Sequence, residues 1–121
     1  MRTIAMLVAA LLASPAAAQT QVQVNEAAAR AYARADAAMT REWRLTYAAM
    51  KRMDAANRGG FRYAAATLAS QRAWLAFRDA ECAIEGGEFA GGSLQSMAES
   101  QCRARLTNDR AAQLRSLRWQ R

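Results

Sequence analysis

The sequence predicts an all-α protein, a three-helix antiparallel bundle with one disulfide linking the second and third helices. Three observations predict it. Alanine dominates the chain while leucine, isoleucine and valine are sparse, a composition that favours helix but buries little apolar surface, so the core is thin. Apolar residues recur at helical spacing in three long stretches, and glycine pairs at Gly59-Gly60, Gly86-Gly87 and Gly91-Gly92 punctuate them. The only two cysteines, Cys82 and Cys102, flank the last of these breaks, and a small domain with a thin core commonly uses a disulfide.

The 121-residue chain opens with the pattern of an export signal. Arg2 is the positive n-region, Ile4 to Ala13 is the apolar h-region, and Ala16-Ala17-Ala18 is an A-x-A cleavage site. Cleavage after Ala18 leaves 103 residues (121 − 18), enough for one domain. The apolar run is too short to span a bilayer. A polar lead-in, residues 19–24, precedes a single helical domain expected over residues 25–118. Export places that domain in a periplasm or outside the cell, where a disulfide persists.

The first helix is expected from Asn25, an N-cap residue type, to about Asn57, before Gly59-Gly60. Tyr32, Met39, Trp43, Tyr47, Met50 and Met53 form its apolar stripe, and Asp36 falls inside that stripe. The second helix is expected from Phe61 to Ile84. Phe61, Ala65, Leu68, Leu75 and Cys82 mark its inner face, widened by Trp74 and Phe77. Trp74, Arg78 and Cys82 stand four apart and share a face. Gly86-Gly87 is expected to stop this helix through a left-handed residue. The turn from Glu85 to Gly92 holds four of the six glycines and one aromatic, Phe89. Ser93 is the expected N-cap of the third helix, Leu94 to about Leu117. Ala98, Cys102, Leu106, Gln113, Leu114 and Leu117 define its inner side, and Arg110 sits among them.

Asp36, Arg78 and Arg110 come from three different helices and each lies in an apolar stripe. Buried arginine and aspartate are normally paired, so these three are expected to form a structural ion cluster, with Asp36 bridging one or both arginines. The charge balance is strongly basic: 17 Lys and Arg against 10 Asp and Glu give +7, and loss of Arg2 leaves +6 (7 − 1). Lys51 is the sole lysine. Such a surface attracts anionic envelope polymer or lipid. Arg103, Arg118 and Arg121 cluster along one edge of the third helix, but no zinc finger, RNA-binding signature or helix-turn-helix accompanies them, so no specific nucleic-acid partner is expected.

Several activities lack their residues. The chain has no histidine, the commonest general base and metal ligand. Two cysteines without histidine make a poor zinc site, and Cys82 and Cys102 are no C-x-x-C pair. No G-x-S-x-G elbow, P-loop or dinucleotide fingerprint occurs. No enzyme activity, cofactor or metal is expected.

The run Trp74-x-x-Phe77-Arg78-Asp79-x-x-Cys82, the glycine turn with Gly91-Gly92-Ser93, and then Cys102, Leu106 and Arg110 resemble the lysozyme-inhibitor LprI-like N-terminal domain family. The first helix fits the same frame. Where the family reads T-Q-x-E-M-N-x-C-A, a tyrosine, A-D and L-N-x-x-Y, this chain has Thr20-Gln21-Val22-Gln23-Val24-Asn25-Glu26-Ala27-Ala28, Tyr32, Ala35-Asp36, Met39-Thr40 and Trp43. Ala27 stands where the family has an early cysteine, so one disulfide is kept and another is absent. The resemblance implies a small exported helical protein that binds and inhibits lysozyme or another muralytic enzyme. The contact residues expected for that partner are Glu85, Glu88 and Phe89. Common lysozymes are cationic and are repelled at long range by a basic chain, an effect the acids Asp79, Glu81, Glu85 and Glu88 offset only in part. The alternative is a non-enzymatic envelope-associated structural or stress protein that holds anionic polymer or lipid on its arginine-rich surface.

Overall fold

A computed structural model describes residues 15–119; the expected n- and h-regions of the export signal and Arg121 lie outside them. Three helices make up the chain, α1 (Pro15–Ala56), α2 (Tyr63–Gly87) and α3 (Gln95–Ser116). No strand occurs among the described residues.

Helix α1 starts ten residues earlier than Asn25. Proline suits the first helical position because its missing N–H is not needed there, and the alanines that follow are the best helix formers. Thr20 Oγ1 donates back to Ala16 O at 2.8 Å. Asn25 is therefore no cap: it lies within α1 and its Nδ2 donates to Ser93 O at 3.2 Å. That bond joins α1 to the start of α3, and a second, from Thr46 Oγ1 to Leu114 O at 2.7 Å, joins residues equally far apart in sequence. Helices α1 and α3 thus run parallel and side by side. Helix α2 runs antiparallel to both, since Cys82 meets Cys102 at one end of it and Tyr63 meets Asp54 at the other. At about 1.5 Å per residue α1 is about 63 Å long and α3 about 33 Å, so the first turns of α1 extend past the level of Ser93.

The turn between α1 and α2 is closed from α1 itself. Asp54 Oδ1 accepts from Tyr63 N at 2.7 Å and Oδ2 accepts from Ala64 N at 3.1 Å. These are two of the orphan donors that every helix start leaves open. Gly59, at φ 76°, supplies the left-handed residue of the connection.

The core is narrow. Met39, Ala111 and Leu114 form its buried centre, with Trp43, Trp74 and Leu117 packed against it. Met50, Thr46, Thr107 and both cysteines are also fully buried. The inner face of α2 differs from the expected one. Ala64, Thr67, Gln71, Arg78, Cys82 and Gly86 are buried, whereas Phe61 is 62% exposed and Phe77 54% exposed. Ala65 and Leu75 also face outward, and Leu68 is half-buried. Polar side chains take this face because they satisfy one another across the interface, and buried polar groups are tolerated on that condition. On α3, Cys102 and Leu114 are buried as expected, but Gln113 is exposed and Thr107 and Ala104 turn inward.

Candidate functional site

Cys82 and Cys102 form the expected disulfide, with Cα atoms 5.5 Å apart. It ties the end of α2 to the start of α3 and so holds the turn between them. Gly86 and Gly87 do not stop α2; both are helical, and the following residue, Glu88, keeps right-handed angles (φ −56°, ψ −29°). The left-handed residue of the turn is Gly91, at φ 79°. Gly86 is needed for another reason, since a Cβ there would run into the side chain of Glu99 on α3. Beyond α2 the chain descends through Phe89 N to Gly86 O (3.0 Å), Ala90 N to Gly87 O (3.1 Å) and Gly92 N to Phe89 O (2.9 Å). Ser93 is not the N-cap of α3. Leu94 holds that position without a side-chain cap, and Gln95 reaches back instead, its Oε1 accepting from Gly91 N at 3.1 Å.

The tip of this turn bears an open groove of about 370 Å³ lined by Asn25, Gly92, Ser93, Gln95, Ser96 and Glu99. Its walls are short and polar, and α1, the turn and α3 all contribute. None of the three expected contact residues lines this groove, and they differ in their surroundings. Glu85 is half-buried and paired with Arg105 of α3. Glu88 is exposed and enters no ion pair among the described residues, while Phe89 is half-buried rather than projecting. The neighbouring acids are occupied as well. Asp79 accepts from Arg78 Nε at 3.0 Å and lies 3.6 Å from Arg103, which also reaches Glu99 at 3.8 Å.

Arg78 and Arg110 are both buried, as their positions in the apolar stripes require. Asp36 is not their partner. It is half-buried on the flank of α1 and makes no ion pair with either arginine. Arg78 uses Asp79, its sequence neighbour, and lies 3.5 Å from Thr107 Oγ1. Arg110 donates to Gln71 Oε1 (2.9 Å), Ser70 Oγ (3.0 Å) and Gln113 Oε1 (3.3 Å). Burial pulls the Arg110 pKa down, and neutral acceptors alone satisfy it. Both guanidinium groups lie over the Trp74 ring, 5.2 and 5.9 Å from its centroid, where the π face attracts a cation. The shared face of Trp74, Arg78 and Cys82 thus holds, and the pairing is local rather than through Asp36.

The buried carboxylate is Glu42 instead. Its side chain lies between α1 and the end of α3, with Oε1 3.2 Å from Arg115 and Oε2 2.7 Å from Arg118. Oε2 is fully buried and faces the Arg118 guanidinium. The Arg118 guanidinium, opposed by desolvation and aided by Arg115, keeps the Glu42 pKa below the usual carboxylate range. Arg118 Nη1 also donates to Thr46 Oγ1 at 2.9 Å. One signal for this cluster was present: Glu42, Thr46 and Ala49 continue the line of Ala35 and Met39 along one helix face. Of the edge arginines, Arg103 and Arg118 are thus engaged within the fold.

Among the described residues no group of three or more Cys, Asp or Glu stands close enough to hold a metal ion, and no helix is long and apolar enough to cross a membrane. The family model described as Lysozyme inhibitor LprI matches residues 13–114. An uncharacterised protein of Rhizobium meliloti is 37% identical over 105 residues, covering 81% of this chain and 73% of its own length. No solved structure matches.

Proposed function

The chain belongs to the lysozyme inhibitor LprI family, and from that premise we propose that it acts by binding rather than by turnover, as an exported inhibitor of a lysozyme-like muralytic enzyme. The α2–α3 turn is the contact surface in this reading. The observation that carries it is the construction of that turn: a disulfide at its base, a bond from Asn25 to Ser93 across from α1, and a polar groove at its tip. A loop held this way loses little conformational freedom on docking, which lowers the entropic cost of binding. Glu88 offers a free carboxylate to a cationic enzyme surface, and Glu85 and Phe89 border it. The reading places the mature domain in the periplasm or outside the cell, where its disulfide is stable.

The test is a lysozyme turbidity assay on mature protein, run at low and high salt. A Glu85→Ala, Glu88→Ala, Phe89→Ala triple variant is assayed beside the wild type. Saturable inhibition by the wild type and its loss in the triple variant are expected. No inhibition at micromolar protein removes lysozyme as the target, and equal inhibition by both proteins removes this turn as the contact surface.

A further inference from the structure

The two sides of α1 have opposite character. Ala35, Met39, Thr46 and Ala49 are buried along one side. At about 100° per residue, Arg30, Arg34, Arg41, Arg44, Lys51 and Arg52 fall within an arc of about 100° on the reverse side. All six are exposed. From Arg30 to Arg52 the stripe is about 33 Å long at about 1.5 Å per residue.

Most cations of this stripe have no carboxylate partner among the described residues, whereas those of α3 are engaged. On α3 and just after it, Arg103, Arg105, Arg115 and Arg118 are each paired with a carboxylate and Arg110 is buried. On the stripe, only Arg30 has an acidic partner among the described residues, Glu26 at 3.5 Å. Between Ala27 and Met53 the only carboxylates are Asp36 and Glu42. Glu42 is buried and turned to α3, and Asp36 lies on the flank. Arg41 and Arg44 stand on an open groove of about 540 Å³ that also takes in Asp36, Ala37, Thr40 and Leu45.

We propose that this outer face of α1 binds a linear polyanion, a polymer carrying phosphate groups at intervals along an extended chain. A straight rod with cations along one line matches a chain of charges better than a compact ligand. Arginine suits phosphate because its planar fork donates two parallel hydrogen bonds. Membrane insertion is disfavoured by the composition of the face: a helix that enters the interface carries large apolar residues beside its cations. Between Arg30 and Arg52, Leu45 is the one large apolar side chain that stands out, at 51% exposed. The proposal does not depend on the inhibitor reading, which uses the α2–α3 turn.

The experiment titrates the mature protein with long-chain inorganic polyphosphate over a salt series. Arg34→Gln, Arg41→Gln, Arg44→Gln is compared with Arg58→Gln, Arg62→Gln, Arg72→Gln, a triple that removes the same charge from exposed positions off the stripe. The stripe triple is expected to bind at least about tenfold more weakly, with a slope of log K against log salt shallower by about two. The control triple stays within about twofold of wild type. Equal weakening of both triples overturns the proposal, because net charge alone then explains binding. Wild-type binding to phosphatidylglycerol vesicles that polyphosphate fails to compete away also overturns it, in favour of a membrane surface. A second measurement needs no variant. Phenylglyoxal modification of the wild type, read by mass spectrometry, should be blocked by polyphosphate at Arg34, Arg41, Arg44 and Arg52. Protection spread evenly over all exposed arginines overturns the assignment.

Discussion

Removing the Cys82–Cys102 cross-link should be the most costly small change available to this fold. Twenty positions separate the two cysteines. The chain-entropy relation assigns a closed loop of that size an entropy of about −11 cal/mol/K, or about 3 kcal/mol at 25 °C. Both sulfurs are fully buried, so Cys82→Ala with Cys102→Ala also loses packing, bringing the total to about 3–5 kcal/mol. A domain of this size has roughly 5–15 kcal/mol in all, and its thin core leaves little to offset the loss. With an m-value of about 1.5 kcal/mol per molar urea, the unfolding midpoint should fall by roughly 2–3 M. The decisive comparison is with the single variant Cys82→Ala, which already removes the whole cross-link. It should unfold close to the double variant. If the double variant stays within about 1 kcal/mol of wild type, the loop is not what the bridge stabilises. If the cost of the double variant equals the sum of the two singles, the sulfurs act by packing and the cross-link reasoning fails.

Four further outcomes follow from the geometry. The folded-state pKa of Glu42 is depressed, so its contribution is complete above the unfolded value of about 4.5 and is lost as pH falls through the folded value. Glu42→Gln should therefore lower the urea midpoint at pH 7 and flatten its decline in acid, and an unchanged acid limb would refute the assignment. Gly87→Ala should stabilise by about 0.5–1 kcal/mol, because Gly87 is helical with open space where the Cβ would go. Gly91→Ala should destabilise by about 1–2 kcal/mol at its positive φ, and thermal unfolding of the pair shows which glycine ends the regular chain. Asp54→Ala should cost about 1 kcal/mol by freeing the Tyr63 and Ala64 amides, read as a shift in the urea midpoint.

Helix existence, the two breaks and the disulfide are determined by the sequence itself, because each depends on local chemistry. Alanine and helical spacing specify three helices, glycine pairs mark where they end, and two cysteines admit one pairing. The same local logic placed Trp74, Arg78 and Cys82 on one face and required that Arg78 and Arg110 be buried. Tertiary structure decided what stands opposite each of them. Helical period orients a residue about its own axis but does not say which side chain of another helix meets it. Asp36 therefore looked like the natural partner of two buried arginines, whereas Arg78 took Asp79 beside it on α2, and Arg110 took Gln113 on its own helix together with Gln71 and Ser70, which the packing of α2 on α3 brought to it. The inner face of α2 slipped for the same reason. Its large apolar residues Phe61 and Phe77 suggested one face, but Gln71 and Arg78 found partners on α1 and α3 from the other, and Thr67 there is satisfied by Tyr63 O of its own helix. Glu42 is the clearest case. On the sequence it is one more charged residue of a basic helix, and only the parallel packing of α1 on α3 brings Arg115 and Arg118 to it. The same packing leaves the opposite side of α1 uncovered, so its row of arginines faces solvent.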